Sequence, residues 1–217
     1  LISKLNYDVS DALEVQVGLD WRTAGIEHAR EVRDLLGGDY FVNSSNKNNT
    51  TNESKMKRLG DIIAYHNSTT VDWLGGFVQG KYTKDKINLY GMGGLSSIKY
   101  SYQDHFTVAN EVVNADAIST FQVKGGIMYD VDDNVSVFAN TGYVEKPPIM
   151  DNVIYYDGTV ASDPLNESFI SSEAGVNFNS DNFAVKVSAY NTDWKDRNLT
   201  KAVTTGQGDS GDTDIIY

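Results

Sequence analysis

Three histidines, His28, His66 and His105, are the side chains in this chain best suited to metal or proton chemistry, and cysteine is absent. Imidazole binds divalent metals and changes charge near neutral pH. All three fall in segments read below as loops. Long loops can gather such residues into a shared metal site, but isolated surface histidines are the commoner arrangement, so no metal site is assigned. No Gly-x-Ser-x-Gly elbow, His-Glu-x-x-His pair or thiol accompanies them, and the sequence predicts neither an enzyme nor a cofactor. The segment Gly206-Gln207-Gly208-Asp209-Ser210-Gly211-Asp212-Thr213-Asp214 has the composition of a calcium loop. It lacks the Asp-x-Asp-x-Asp-Gly register and the closing bidentate Glu, and reads as a plain loop. Tyr90-Gly91-Met92-Gly93-Gly94 lacks Gly-Lys-Ser/Thr and lies mid-strand, which suits close backbone packing or a bend in a wall better than a phosphate cradle.

Recognition is the chemistry that remains. Arg33, Tyr155, Tyr156 and Trp194 fall in long polar connections. Aromatic faces suit sugars and planar chelates, and a guanidinium suits anionic chelates. These four are the expected contacts of a small-molecule or glycan ligand.

The elements that must hold them are strands. In residues 172–190, Ala174, Val176 and Phe178 alternate with Glu173 and Asn177; after a polar turn, Val185, Val187 and Ala189 alternate with Lys186 and Ser188. Period-two alternation predicts a hairpin with one apolar and one polar face. Four short polar turns recur, each entered through an aromatic residue: Tyr7, Tyr82, Tyr129 and Phe178. Asp, Asn and Ser favour such turns because their side chains bond the local backbone. The segments around them predict eight strands at 1–8, 12–22, 71–82, 87–101, 117–129, 135–143, 168–178 and 183–191. Residues 26–36 carry apolar side chains near helical spacing ahead of Gly37-Gly38 and predict a short helix. The polar stretch 43–54 is expected to be mobile.

Every second connection is a tight turn, while 23–70, 102–116, 144–167 and 192–214 are long. A membrane β-barrel has this asymmetry, with short periplasmic turns and long extracellular loops. Aromatic residues crowd both strand ends: Tyr7, Tyr82, Tyr129, Phe178 and Phe183 at one, Trp21, Trp73, Tyr100, Tyr143, Phe169 and Tyr190 at the other. That placement suggests two interfacial girdles. The expected fold is therefore all-β, an antiparallel up-and-down transmembrane β-barrel in the bacterial outer membrane, with lipid on its apolar face. A passive porin-like barrel and a soluble extracellular β-sandwich are the alternatives, since a sandwich gives the same alternation.

Composition limits the rest. Among 217 residues, 3 are Pro and 19 are Gly, and no apolar run approaches the ~18 residues of a membrane helix. The net charge of −12 argues against nucleic acid, which needs a Lys/Arg-rich face. The chain opens on Leu1 and stops as an apolar segment begins at Asp214-Ile215-Ile216-Tyr217, so it is expected to be an internal piece of a longer protein.

Residues 137–148, running from Val137-Phe138-Ala139-Asn140 through Gly142-Tyr143 to Pro147-Pro148, are followed by Asp163-Pro164-Leu165-Asn166-Glu167 and Glu173-Ala174-Gly175-Val176. Ala189-Tyr190-Asn191-Thr192-Asp193 comes next. This order resembles the barrel of TonB-dependent outer-membrane receptors, over about residues 118–200. Two departures are Lys146, where Arg is more usual, and a reduced Asp163–Glu167 segment. The resemblance implies about eight strands of a 22-stranded barrel, with the plug domain and barrel ends absent from this chain. It also implies TonB-powered uptake of a siderophore, cobalamin, haem or glycan, with the TonB complex acting through the missing plug.

Overall fold

The computed structural model describes residues 1–107, 109–197, 204–205 and 212–213. Its body is one antiparallel sheet. The long strands are β1 (Ile2–Ser10) and β2 (Leu13–Glu31), then β5 (Ile62–Lys84) and β6 (Ile87–Asp104). They continue as β8 (Ile118–Asp130), β9 (Val135–Lys146), β10 (Glu167–Asn179) and β11 (Ala184–Lys195). Each pairs with the next, giving the spatial order β1-β2-β5-β6-β8-β9-β10-β11. Short elements decorate the long connections: β3 (Phe41–Val42) pairs with β4 (Met56–Lys57) beside a helical turn at Asn52–Lys55, and β7 (Val112–Asn114) adds to β6.

The four predicted hairpins are present, and side chains close their turns. Asp85 takes φ 51° between β5 and β6, a left-handed conformation that Asp tolerates. Between β8 and β9, Asp132 Oδ1 accepts from the amides of Asn134 and Val135 at 2.8 and 2.9 Å.

The expected helix over 26–36 does not form. Residues Gly25 to Glu31 pair with β5 up to Ile62, interrupted by one irregularity at Ala29/Arg30. An adjacent strand satisfies every second backbone group there, whereas a lone helix would have had no surface to pack on. The chain instead turns at Leu36 (φ 49°) and Gly37 (φ 86°). The stretch 43–54 is folded: Asn43 is buried, and Thr51 and Ser54 bond each other reciprocally as a helix cap.

Register assigns the faces. One row runs Val17, Val78, Gly93, Val123, Tyr143, Ile170 across β2 to β10, and another runs Leu13, Tyr82, Leu89, Ile127, Ala139, Ala174, Ala189. On this face the residues from Leu13 to Trp21, Tyr82 to Leu74, Ile87 to Leu95, Tyr129 to Phe121, Val137 to Tyr143 and Phe178 to Ile170 are apolar or small. Beyond them stand Thr23, Asp72, Ser97, Ser119, Glu145 and Ser168. These stretches span seven to nine residues, close to the ~9–11 with which a tilted strand crosses a bilayer.

The belt is bare. Leu5, Val17, Leu19, Trp21, Leu74, Val78, Leu95, Val123 and Val187 are each 50–73% exposed. No second layer of sheet covers it among the described residues. Within this chain the apolar face therefore meets no second sheet, unlike that of a β-sandwich. The opposite face carries Gln16, Gln79, Gln122, Asn140 and Asn177, with large rings set over glycines: Phe77 on Gly18, Tyr90 on Gly126 and Phe138 on Gly175. Tyr7, Tyr82, Tyr129 and Phe178 join the belt at the short-turn end, and Trp21, Phe121 and Tyr143 join it at the other. Trp73, Tyr100, Phe169 and Tyr190 lie on the inward face, so the second girdle is narrower than expected, because strand parity rather than height decides what a ring meets.

Candidate ligand site

β2, β5 and β6 run past the belt at the long-loop end, and this overhang builds the site. Its foundation is the buried core of the chain: Ile98, Tyr100 and Tyr102 of β6 against Ala115, Val153 and Ile154. The loop after β9 folds back onto the inward wall, with Pro148 and Val153 fully buried, and Tyr100 Oη donates to the Pro148 carbonyl at 2.9 Å. A 3-10 turn at Met150–Asn152 begins its return. Gly158 (φ 82°) then closes a turn in which the Tyr155 carbonyl accepts from the Gly158 amide at 2.9 Å.

Above this core opens a cavity of about 700 Å³. Its walls include His28, Lys47, Tyr65, Tyr102, Asp104, Phe106, Tyr156 and Asp157. Such a volume accepts a drug-sized molecule. Burial raises the Tyr102 phenol above its ordinary value, helped by nearby Asp104, Tyr156 and Asp151; burial likewise raises Tyr100. Both are neutral donors near neutral pH. Asp157 is held below the usual carboxylate range by the Thr159 amide, donating to its Oδ1 at 2.8 Å, and by the Thr159 hydroxyl. The cavity therefore offers phenols, an apolar ring, one imidazole, one ammonium and two carboxylates.

The expected contacts separate. Tyr156 is 81% exposed and lines the cavity beside Asp157. Tyr155 is half-buried in the same turn. Arg33 lies in the exposed connection after β2, outside the lining. Trp194 is a strand residue: its Nε1 donates to Glu167 Oε2 at 3.1 Å, and its ring stacks on Phe169 at 4.9 Å. Sequence reading missed Tyr65, Tyr102 and Phe106 because strand and loop residues of this polar overhang look alike; the long Ser/Thr run at 68–70 was the available hint.

The histidines also separate. His28 lines the cavity, while the rings of His66 and His105 lie tilted at 44° to each other with centroids 4.3 Å apart, at the ends of β5 and β6. His66 Nε2 is 2.6 Å from Glu27 Oε1, and His105 Nε2 is 2.8 Å from Ser68 Oγ. No group of three or more His, Asp or Glu among the described residues is arranged to hold a metal. Of the acidic segment 206–214, residues 206–211 and 214 lie outside the described residues.

A single sheet with a bare apolar belt, trimmed turns at one end and a ligand-sized cavity at the other defines a membrane β-barrel wall. The chain belongs to the TonB-dependent receptor family, whose barrel model (TonB dependent receptor-like, beta-barrel) matches residues 3–217. Among solved structures, the FrpB iron transporter of Neisseria meningitidis (F5-1 variant, apoprotein form) aligns with a TM-score of 0.56 at 16% identity. That alignment covers 92% of this chain and 29% of FrpB. The copper transporter OprC aligns with a TM-score of 0.43 at 11% identity, over 87% of this chain and 37% of OprC. No curated protein matches the chain closely enough to count as a relative. The chain therefore spans well under half the length of these solved proteins.

Proposed function

We propose that this chain is part of the wall of an outer-membrane receptor that imports a scarce nutrient with energy delivered by the TonB complex. The observation that carries the reading is one sheet bearing both a bare belt of bilayer height and, on its other face at the long-loop end, a cavity lined by Tyr65, Tyr102 and Tyr156. The belt requires lipid, because exposing so large an apolar patch to water is unfavourable. The cavity would admit a small ligand arriving from the long-loop side, which in this family faces the cell exterior.

In this reading the chain is about eight strands of a larger, 22-stranded barrel, and a plug domain outside the chain receives the TonB signal. FrpB is an iron transporter, so iron chelates head the substrates to test, followed by haem, cobalamin and oligosaccharides. Wild-type full-length protein should support growth on one of these as limiting nutrient, and Tyr156→Ala should lower that uptake while outer-membrane levels stay unchanged. Uptake that continues without TonB would point to a passive porin instead.

A further inference from the structure

We propose that a two-residue bulge, Ala64-Tyr65, is a built stacking platform that presents the Tyr65 ring to an uncharged oligosaccharide entering the cavity. The bulge lies in the register of β2 with β5. Ala29 pairs with His66, but the next residue of β2, Arg30, pairs with Ile63. The pairing of β5 with β6 begins only at Asn67. Among the described residues, then, neither Ala64 nor Tyr65 has a ladder partner. Ala64 has φ 64°, a left-handed backbone that a residue with a Cβ rarely adopts. Sheet pairing does not require the insertion: because it is two residues long, a ladder without it would keep every neighbouring side chain on its present face. Bulges and strained backbone concentrate where a side chain is re-aimed for function. Both residues of this bulge line the cavity.

The ring is braced from one side. The Arg30 guanidinium lies over Tyr65 at 5.3 Å from the ring centroid, within cation–π reach. Tyr65 is nevertheless 42% exposed, which leaves ring surface free for stacking. The rest of the lining selects the partner. Lys47 and Arg30 are met by Asp104, Asp157 and, near Tyr102, Asp151. Even with His28 counted as a cation, the wall holds no positive surplus with which to attract a multiply anionic chelate. Asn67 and Ser45 add an amide and a hydroxyl, and the carboxylates accept from hydroxyls. Aromatic faces beside such groups suit the apolar face and hydroxyl rim of a sugar. This chemistry favours oligosaccharides over the iron chelates named above.

The inference rests on the cavity being a ligand entrance, and its test separates the two. Full-length protein in nanodiscs is compared with Tyr65→Ala, Tyr65→Phe and a deletion of residues 64–65. Each is measured for thermal unfolding and for binding to an array of neutral gluco-, manno-, galacto- and xylo-oligosaccharides. The deletion closes the ladder, so it should unfold at the wild-type temperature or above. Wild type should bind at least one member of the array, and Tyr65→Phe should keep that binding. Tyr65→Ala and the deletion should each weaken it by about tenfold or more. A deletion that unfolds well below wild type makes the bulge structural and overturns the platform, as does undiminished binding by Tyr65→Ala. Wild-type protein that binds nothing on the array overturns the sugar assignment. The receptor reading is judged apart from these results, by whether growth on a limiting nutrient needs TonB.

Discussion

Val176 on β10 and Val187 on β11 face each other across the last hairpin, 45% and 67% exposed, while their sequence neighbours Asn177 and Lys186 pair on the other face. A soluble domain of this size would turn such a pair toward a core. Here the core is a small cluster beneath the long loops, and the valines stay uncovered; in the proposed barrel wall they meet lipid. Replacing Val176 or Val185 by Arg should destabilise the assembled barrel by about 2–4 kcal/mol if the site lies near the midplane. Ser188→Arg, on the inward face, should be tolerated. Urea unfolding of the full-length protein reconstituted in lipid vesicles checks both; equal effects on the two faces would contradict the assignment.

Glycine tolerance should also divide by face. A Cβ on Gly175 would sit 2.5 Å from the Val187 carbonyl and 2.7 Å from the Phe138 ring, whereas one on Gly80 or Gly91 meets nothing within 4 Å. Gly175→Ala should cost about 1–3 kcal/mol through overpacking, and Gly91→Ala should be close to neutral. Thermal unfolding of the folded, gel-resolved form measures the difference.

The inward-folded loop after β9 predicts an alkaline signature. Because burial raises the phenols of Tyr100 and Tyr102, the folded state prefers their protonated forms. Their contribution is complete below the ordinary value of about 10 and is lost as pH rises through the raised folded values. An ultraviolet titration of tyrosinate should show a late-ionising fraction that shrinks in Tyr100→Phe and again in the double variant with Tyr102→Phe. A late fraction unchanged in the double variant would count against this packing.

Trp194 and Tyr156 should behave differently although both were expected ligand contacts. Trp194→Ala removes a hydrogen bond to buried Glu167 and the stack on Phe169, and should destabilise by about 1–3 kcal/mol. Tyr156→Ala, at an exposed loop tip, should leave stability unchanged and reduce only ligand uptake. Unfolding and uptake measured side by side separate the two roles.

The sequence made the hairpins legible because each is local: an aromatic residue, a few turn formers, and alternation on either side. Pairings such as Val176 with Val187 follow from the turn length alone. The overhang of β2, β5 and β6 was not legible, because outside the bilayer neither face of a strand need be apolar, and alternation fades through Thr23 to Glu31 and Ile62 to Thr70. The cavity was hidden for the same reason. Tyr102 and Tyr156 are distant in sequence and meet only because Pro148 and Val153 bury themselves against β6. Of the four expected contacts, Tyr156 was named as a loop aromatic and lines the cavity, while Trp194 belongs to a strand whose end ran further than its alternation suggested.

Accessibility of single spin labels along β10 and β11 to oxygen and to a water-soluble nickel chelate, in the full-length protein in bilayers, decides between lipid and protein as what covers the belt. Labels at Val176, Val185 and Val187 should favour oxygen, and those at Asn177, Lys186 and Ser188 should favour nickel, alternating residue by residue. Labels at the three valines shielded from both reagents, as under a second layer of protein, would contradict the membrane-wall structure described above.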